Sequence, residues 1–296
     1  MSAPLVIVVS KRTAYRRFVE DERDPHVREL LRRRHPSVAR WIDAHREHVR
    51  TLARVERALR KLGARVWVLQ GPRIAFDPSA ADLVVTVGGD GTLLAASHHV
   101  VAIPVLGVNS APKLSVGFFC GADSDNASEM LAEAFHGRLP RVELTRMQVT
   151  LGGRVCSRRV LNEALFCHAI PAAASRYVLN YGRRIEEQRS SGFWIGPAAG
   201  STGAQRSAGG QVLALRSKRL QLVTREAYLP GGRPYRMSRV LVENGRVLSA
   251  QSKMDEACLF LDGPFQRVPV RLGETVTFST SQEPLTVLGL DVRRGR

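Results

Sequence analysis

The alternation of apolar and polar positions divides the chain into two stretches of different character. In the first, short β-branched runs alternate with helical periods. Val6 to Val9 is a continuous apolar run of the kind that fills a strand buried on both faces. Asp24 to His35 predicts a helix, and Pro36 breaks it, since the residue before a proline leaves the helical region. Pro36 itself suits the first turn of a following helix. From there to Leu62, apolar or amphipathic residues recur at Val38, Trp41, Ile42, His45, Val49, Leu52, Val55, Leu59 and Leu62, and Gly63 closes the run. Further strands are expected at 65–69, 82–87 and 104–109, with a short helix after the third strand and another helix over 125–135. Strands alternating with helices predict a parallel α/β domain.

Past Gly137 and Pro140 the period changes to two. Strands are expected at 142–151, 154–166, 176–181, 220–224, 240–242, 247–250, 257–261 and 274–279. Gly152-Gly153 reads as a turn, and Asn244-Gly245 between two apolar runs predicts a hairpin. One helix is expected near 201–209. The reading is therefore an α/β domain over 1–139 and a β-rich domain over 140–296, with the last strand free to return to the first domain. The length of 296 residues suits two domains.

Composition narrows the function. Hydrophobic residues make up 44% and charged residues 24%, which is globular and excludes a disordered or collagen-like chain. The net charge of +17 invites a nucleic-acid partner. Yet the basic residues, nearly all arginine, are spread along the chain. No basic tail, zinc-finger, basic-zipper or aromatic-interleaved basic pattern appears, so nucleic acid is set aside in favour of small polyanions such as nucleotides. Cys120, Cys156, Cys167 and Cys258 form no Cys-x-x-Cys pair. They read as reduced thiols, which points to the cytoplasm. The first residues are too short for a secretory leader, and no run reaches the length of a membrane span, so no membrane partner is expected.

Three constellations carry candidate chemistry. Gly88-Gly89-Asp90-Gly91-Thr92 follows a strand and opens a helix. Its glycines permit positive φ and close approach of a ligand to backbone N–H groups. Asp90 would stand at the carboxyl end of a parallel strand, where ligands of open α/β sheets bind. The segment is neither a Walker loop nor the dinucleotide Gly-x-Gly-x-x-Gly pattern. Asn162-Glu163 is a polar pair interrupting an apolar strand, on opposite faces unless a bulge intervenes. Gly200-Ser201-Thr202-Gly203, with Ser207-Ala208-Gly209-Gly210, sets hydroxyls and free N–H groups where a helix starts. Each segment has a purely structural alternative: a tight turn, a strand end and a capped helix. His45 and His48, three apart on a helix, lack neighbouring Cys or carboxylate ligands for a metal site.

In this order and spacing, Gly88-Gly89-Asp90-Gly91-Thr92, Asn162-Glu163 and the Gly200 to Gly210 segment resemble the NAD kinases. The first motif alone is shared with diacylglycerol and sphingosine lipid kinases. Lys11 to Tyr15, Ala44 to His48, Gly107-Val108-Asn109-Ser110, Ser190-Ser191-Gly192 and Asp255 to Gly263 are similar to the mitochondrial-type branch. The resemblance implies ATP-dependent phosphorylation of the adenosine-ribose 2′-hydroxyl of NAD(H), with Mg²⁺ accompanying ATP. It implies an N-terminal α/β domain with a parallel sheet and a β-rich C-terminal domain, the site between them, in a homo-oligomer (dimer or tetramer). It assigns Asp90 as base. Gly88, Gly89, Gly91 and Thr92 are implied as phosphate neighbours, and Asn162 and Glu163 as ribose ligands. Asn109, Ser191, Thr202, Gly203 and Ser207 are implied as further substrate contacts. Two departures stand out: Ser191 occupies a position usually Asp, and Thr202-Gly203-Ala204 replaces Thr-Ala-Tyr. The first removes a carboxylate expected near the nicotinamide and shifts the expected preference toward NADH. The alternatives are a lipid kinase or a catalytically silent nucleotide-binding regulator.

Overall fold

The computed structural model describes residues 3–71 and 75–292. The chain divides into two compact units, one running to Val142 and taking back Thr286–Asp291, the other holding Glu143–Leu285. No helix among the described residues is long and apolar enough to cross a membrane.

The first unit is built on a parallel sheet. Its first four strands are β1 (Leu5–Ser10), β2 (Arg65–Gln70), β3 (Leu83–Gly88) and β4 (Val105–Asn109), with β5 (Ala122–Asp123) and β6 (Arg141–Leu144) beyond them. The order is β2-β1-β3-β4, then the late strand Leu285–Leu288, then β6, with β5 paired to the end of β4. Residues 6–9, 83–88 and 105–109 are all buried, which explains why their apolar runs are continuous rather than alternating. From β1 the chain moves outward to β2 and then returns to β3 on the other side, so the order reverses between β1 and β3. Ligands of such sheets bind beyond the carboxyl ends at that point, here Ser10-Lys11 and Gly88-Gly89.

Helices α1 (Pro25–Arg32), α2 (Trp41–Lys61), α3 (Asp90–Ser97) and α4 (Ala127–Phe135) connect the strands. Asp24 caps α1, its carboxylate accepting from Val27 N at 3.1 Å. Pro36 does not open the long helix; it starts a separate 3₁₀ turn, Pro36–Val38, and α2 begins at Trp41. Gly63 ends α2 at φ +78°. The buried stripe of α2 is His48, Thr51, Val55 and Leu59. Val49, expected inside, is 48% exposed, and polar His48 takes the inward place.

The second unit consists of two six-stranded antiparallel sheets. Its strands are β7 (Met147–Leu151), β8 (Arg154–Val160), β9 (Ala164–His168), β10 (Ser175–Tyr181), β11 (Arg184–Ser190), β12 (Phe193–Pro197), β13 (Leu220–Thr224), β14 (Arg239–Val242), β15 (Val247–Ser252), β16 (Ala257–Leu261), β17 (Gln266–Val270) and β18 (Thr275–Thr280). The sheet orders are β11-β10-β15-β18-β7-β8 and β14-β13-β12-β9-β16-β17. Both inner faces supply one apolar core, centred on the ring contacts among Phe166, Tyr177, Phe193 and Phe278. Between β12 and β13 lie a 3₁₀ turn, Ala198–Thr202, and the single turn α5 (Ala204–Ser207).

Three expectations change here. The run 142–151 is two strands, broken at Thr145-Arg146, and 154–166 is two strands, broken at 161–163. The Asn244-Gly245 turn forms, with Gly245 at φ +76°, but it joins β14 and β15, which lie in different sheets. It is a crossing between layers, not a hairpin.

The break at Arg146 has a purpose. Arg146 is the largest fully buried side chain. Its guanidinium donates to the carbonyls of Glu283 and Pro284, and its own carbonyl accepts from Ser281 N at 2.8 Å. Burial draws its pKa down to about 10. Arg146 thus anchors residues 281–284 to the start of β7. Arg146→Met removes the donors to the carbonyls of Glu283 and Pro284 and is expected to cost about 1–3 kcal/mol. Hydrogen exchange of β7 and β18 amides measures this, and unchanged protection would assign the anchoring to other contacts.

Candidate active site

The Gly88-Gly89 turn lies at the reversal point of the first unit's sheet. Lys11 N donates to Val87 O and Ser110 N to Gly88 O, both at 2.8 Å, so the ends of β1 and β4 are tied to the end of β3. A methyl group on Gly88 would strike Thr92 Oγ1, and one on Gly89 would come 3.0 Å from Ser115 Oγ. Around Gly91 there is open space. None of the three has positive φ, contrary to the expectation. The glycines are required by close packing at Gly88 and leave room at Gly91.

Asp90 opens α3, behind Gly89 as N-cap. Its two carboxylate oxygens accept from Phe118 N at 2.9 Å and Phe119 N at 2.8 Å. Asn109 is buried and organises the same loop: its Nδ2 donates to Ser115 O at 2.9 Å, while its Oδ1 accepts from Ala111 N and Ser115 Oγ. Behind the turn, His48 bridges Ser10 Oγ (3.1 Å from Nε2) and Ser110 Oγ (2.9 Å from Nδ1). Burial, with Lys11 as the next contribution, lowers its pKa to about 4, so it is neutral near pH 7.

In the second unit, Asn162 and Glu163 occupy the break between β8 and β9 rather than a strand. Asp262 holds that break open. Its carboxylate accepts from Leu161 N (2.8 Å), Asn162 N (2.7 Å) and Glu163 N (3.1 Å), and its own N–H donates to Glu163 O at 2.9 Å. Gly196 and Gly200 pack against the Asn162 carbonyl so closely that a Cβ on either would collide with it. The second and third motifs are therefore one packed structure. Asn162 Oδ1 is buried and has no hydrogen-bond partner among the described residues. Burial, then the negative charge of Asp262, raises the Glu163 pKa to about 7.

Glu163 and Ser191 both border a cavity of about 610 Å³, together with Trp194, Arg225, Glu226 and Phe260. Arg225 lies over the Trp194 ring, 5.5 Å from its centroid, and its Nη1 donates to Ser191 O at 3.4 Å. Thr202, Gly203 and Ser207 do not border this cavity. Thr202 is half-buried, and Gly203 and Ser207 are exposed. Ser201 is structural: its hydroxyl donates to Ala198 O and accepts from Leu213 N. Sequence reasoning missed the clamp by Asp262, a hundred residues away in a segment quoted only for resemblance. It also missed Arg225 and Trp194, which lie in no motif. Among the described residues no cluster of three or more His, Cys, Asp or Glu could hold a metal ion.

The ATP-NAD kinase N-terminal domain family model matches residues 7–139. A probable NADH kinase of Oryza sativa is 31% identical over 281 residues, covering 87% of this chain and 86% of its own. An NAD kinase of Methanocorpusculum labreanum is 32% identical over 218 residues, covering 73% and 76%. The crystal structure of an NAD kinase from Archaeoglobus fulgidus in complex with ATP shares the fold. Its TM-score is 0.69 at 21% identity, covering 97% of this chain and 95% of that one.

The raised pKa of Glu163 has a measurable consequence. Unfolded, a Glu ionises near 4.5, whereas in the folded chain it does so near 7. Its contribution to stability is therefore full below about 4.5 and is lost as pH rises to about 7. Glu163→Gln is expected to leave amide protection in β9 and β16 unchanged at pH 4 and to raise it at pH 8 by about 1–3 kcal/mol. Equal effects at both pH values would show that Glu163 does not titrate in this window.

Proposed function

The chain belongs to the NAD kinase family, and on that footing we propose that it transfers the γ-phosphoryl group of ATP to the adenosine-ribose 2′-hydroxyl of NAD(H), giving NADP(H). The observation that supports this reading is the buried amide oxygen of Asn162, without a hydrogen-bond partner among the described residues, in the residue next to Glu163, which lines the cavity. These are two neighbouring hydrogen-bond acceptors. Ribose hydroxyls are donors that need such partners once desolvated. Family membership disfavours the lipid-kinase alternative. Incubating the purified protein with ATP, Mg²⁺ and NAD⁺ or NADH and assaying NADP(H) tests the proposal; no product would support the silent regulator instead.

In this reading Asp90 orients the attacking hydroxyl and accepts its proton. Its two peptide N–H bonds fix the carboxylate and leave lone pairs for that purpose. Gly88, Gly89, Gly91 and Thr92 are assigned to the phosphates. Asn109 shapes the loop beside them. Ser191, Thr202, Gly203 and Ser207 are assigned to the nucleosides. Phosphoryl transfer asks the protein mainly to position groups and to stabilise charge. Mg²⁺ entering with ATP needs only one or two carboxylates from the protein, which fits isolated acids rather than a cage. It would neutralise phosphate charge. The absence of any Cys-x-x-Cys pair in the sequence supports a cytoplasmic location. The family reading extends to a homo-oligomer (dimer or tetramer), which sedimentation measures.

Ser191 supports a preference for NADH. It borders the cavity where the family usually has Asp, and Arg225 stands beside it. A cationic nicotinamide gains no carboxylate at that position; of the other acids on the cavity, Glu226 is already paired with Arg225 at 3.7 Å. The naming of the rice relative as a probable NADH kinase points the same way.

Two outcomes are expected. Asp90→Asn lowers kcat by about 100-fold or more, with a modest loss of thermal stability because an amide nitrogen would face a peptide N–H. Wild-type turnover in single-turnover assays would remove Asp90 from the proton transfer. Ser191→Asp moves the ratio of kcat/KM toward NAD⁺. A wild type strongly selective for NAD⁺ and unchanged by the substitution would place redox selectivity elsewhere.

A further inference from the structure

The carboxyl ends of β1 and β2 open into a cavity of about 780 Å³ whose walls carry four cations, Lys11, Arg12, Arg16 and Arg17. They are not equivalent. Arg12 is paired with Asp21 at 2.8 Å and Arg17 with Glu22 at 2.9 Å. Lys11 and Arg16 make no ion pair among the described residues. The acids on the same walls are thus spent on two of the four cations, and the other two face the cavity uncompensated.

Both are held on fixed backbone. The Lys11 peptide donates to Val87 O, and its Cβ would lie 3.0 Å from a Cβ on Gly88. Its stem therefore leaves the sheet against the glycine turn, and the residue is exposed. Arg16 starts a π-helical turn, Arg16–Asp21, with its N–H donating to Thr13 Oγ1 at 3.1 Å, and that hydroxyl lies 2.8 Å from His45 Nδ1. The positive potential of the pair is felt inside the unit: Lys11 and Arg16 both contribute to the lowered pKa of His48. A compact ammonium and a planar guanidinium, both unmatched and anchored, suit a polyanion with several oxygens at different depths.

We propose that Lys11 and Arg16 seat the β- and γ-phosphates of the nucleoside triphosphate donor, extending the glycine-turn site outward along the end of β1. This rests on the kinase reading for the identity of the anion. It makes phosphate number, rather than the base or ribose, the property that these two residues read.

The test is calorimetric titration of the full chain with Mg²⁺-ATP and with AMP, beside steady-state kinetics. Lys11→Ala and Arg16→Ala are each expected to weaken ATP binding about tenfold or more, as loss of a charge-assisted contact does. AMP affinity and the KM for NAD(H) stay within about twofold, since those ligands lack the terminal phosphates. Lys11→Gln, which keeps the stem, repeats the loss. Arg12→Ala and Arg17→Ala, whose charges are already neutralised, change ATP binding by less than about threefold. Equal losses in all four variants would reduce the effect to the general field of a basic chain and overturn the seat. So would unchanged ATP affinity in the Lys11→Ala/Arg16→Ala double variant. A wild type that binds ATP tightly but forms no NADP(H) would defeat the kinase reading and leave the phosphate seat standing.

Discussion

Two aspartates hold both candidate segments in place by the same means, a carboxylate that accepts consecutive backbone N–H groups. Asp262 takes the N–H groups of residues 161–163 and Asp90 those of 118 and 119. Interrupting a strand or folding back a loop strips peptide groups of their ladder partners, and buried peptide groups must be satisfied. One charged side chain satisfies several at once. At 161–163 this permits a gap in an otherwise continuous run, and the gap frees Asn162 and Glu163 from strand alternation. The same negative charge adds to burial in raising the Glu163 pKa. Asp262 therefore fixes the shape of the segment and adds to the effect of burial on its protonation.

Buried titrating groups act in opposite senses in the two units. His48 has its pKa lowered from 6.5 to about 4. Its contribution is present above about 6.5 and is lost as pH falls toward 4, because the unfolded chain binds the proton first. Glu163 behaves in reverse across nearly the same window. His48 thus favours the folded first unit as pH rises, while Glu163 disfavours the folded second unit. A global melting temperature mixes these slopes and conceals both.

Much of the fold was legible in the sequence. The core strands β1, β3 and β4 were plain because a strand buried on both faces reads as an uninterrupted β-branched run. By contrast β11, Arg-Ile-Glu-Glu-Gln-Arg-Ser, is largely polar and lies at a sheet edge, and β17 contains Pro269; neither carries an apolar pattern. The Asn244-Gly245 dipeptide fixes a tight turn, yet turn chemistry does not say with which neighbour each arm pairs. The motifs around Asp90 and Asn162 could be located from local spacing, but their organisation could not. The Asp262 clamp and the inward His48 depend on partners 100 and 62 positions distant.

The strand Leu285–Leu288 lies between β4 and β6 in the first unit's sheet. During vectorial synthesis, β1 to β6 leave the ribosome long before the strand that separates β4 from β6 exists. Domains usually fold in the order in which they emerge. Here the amino-terminal unit must wait with an open place in its sheet while the entire second unit is made. Of the two units, the one translated earlier is the later to be completed.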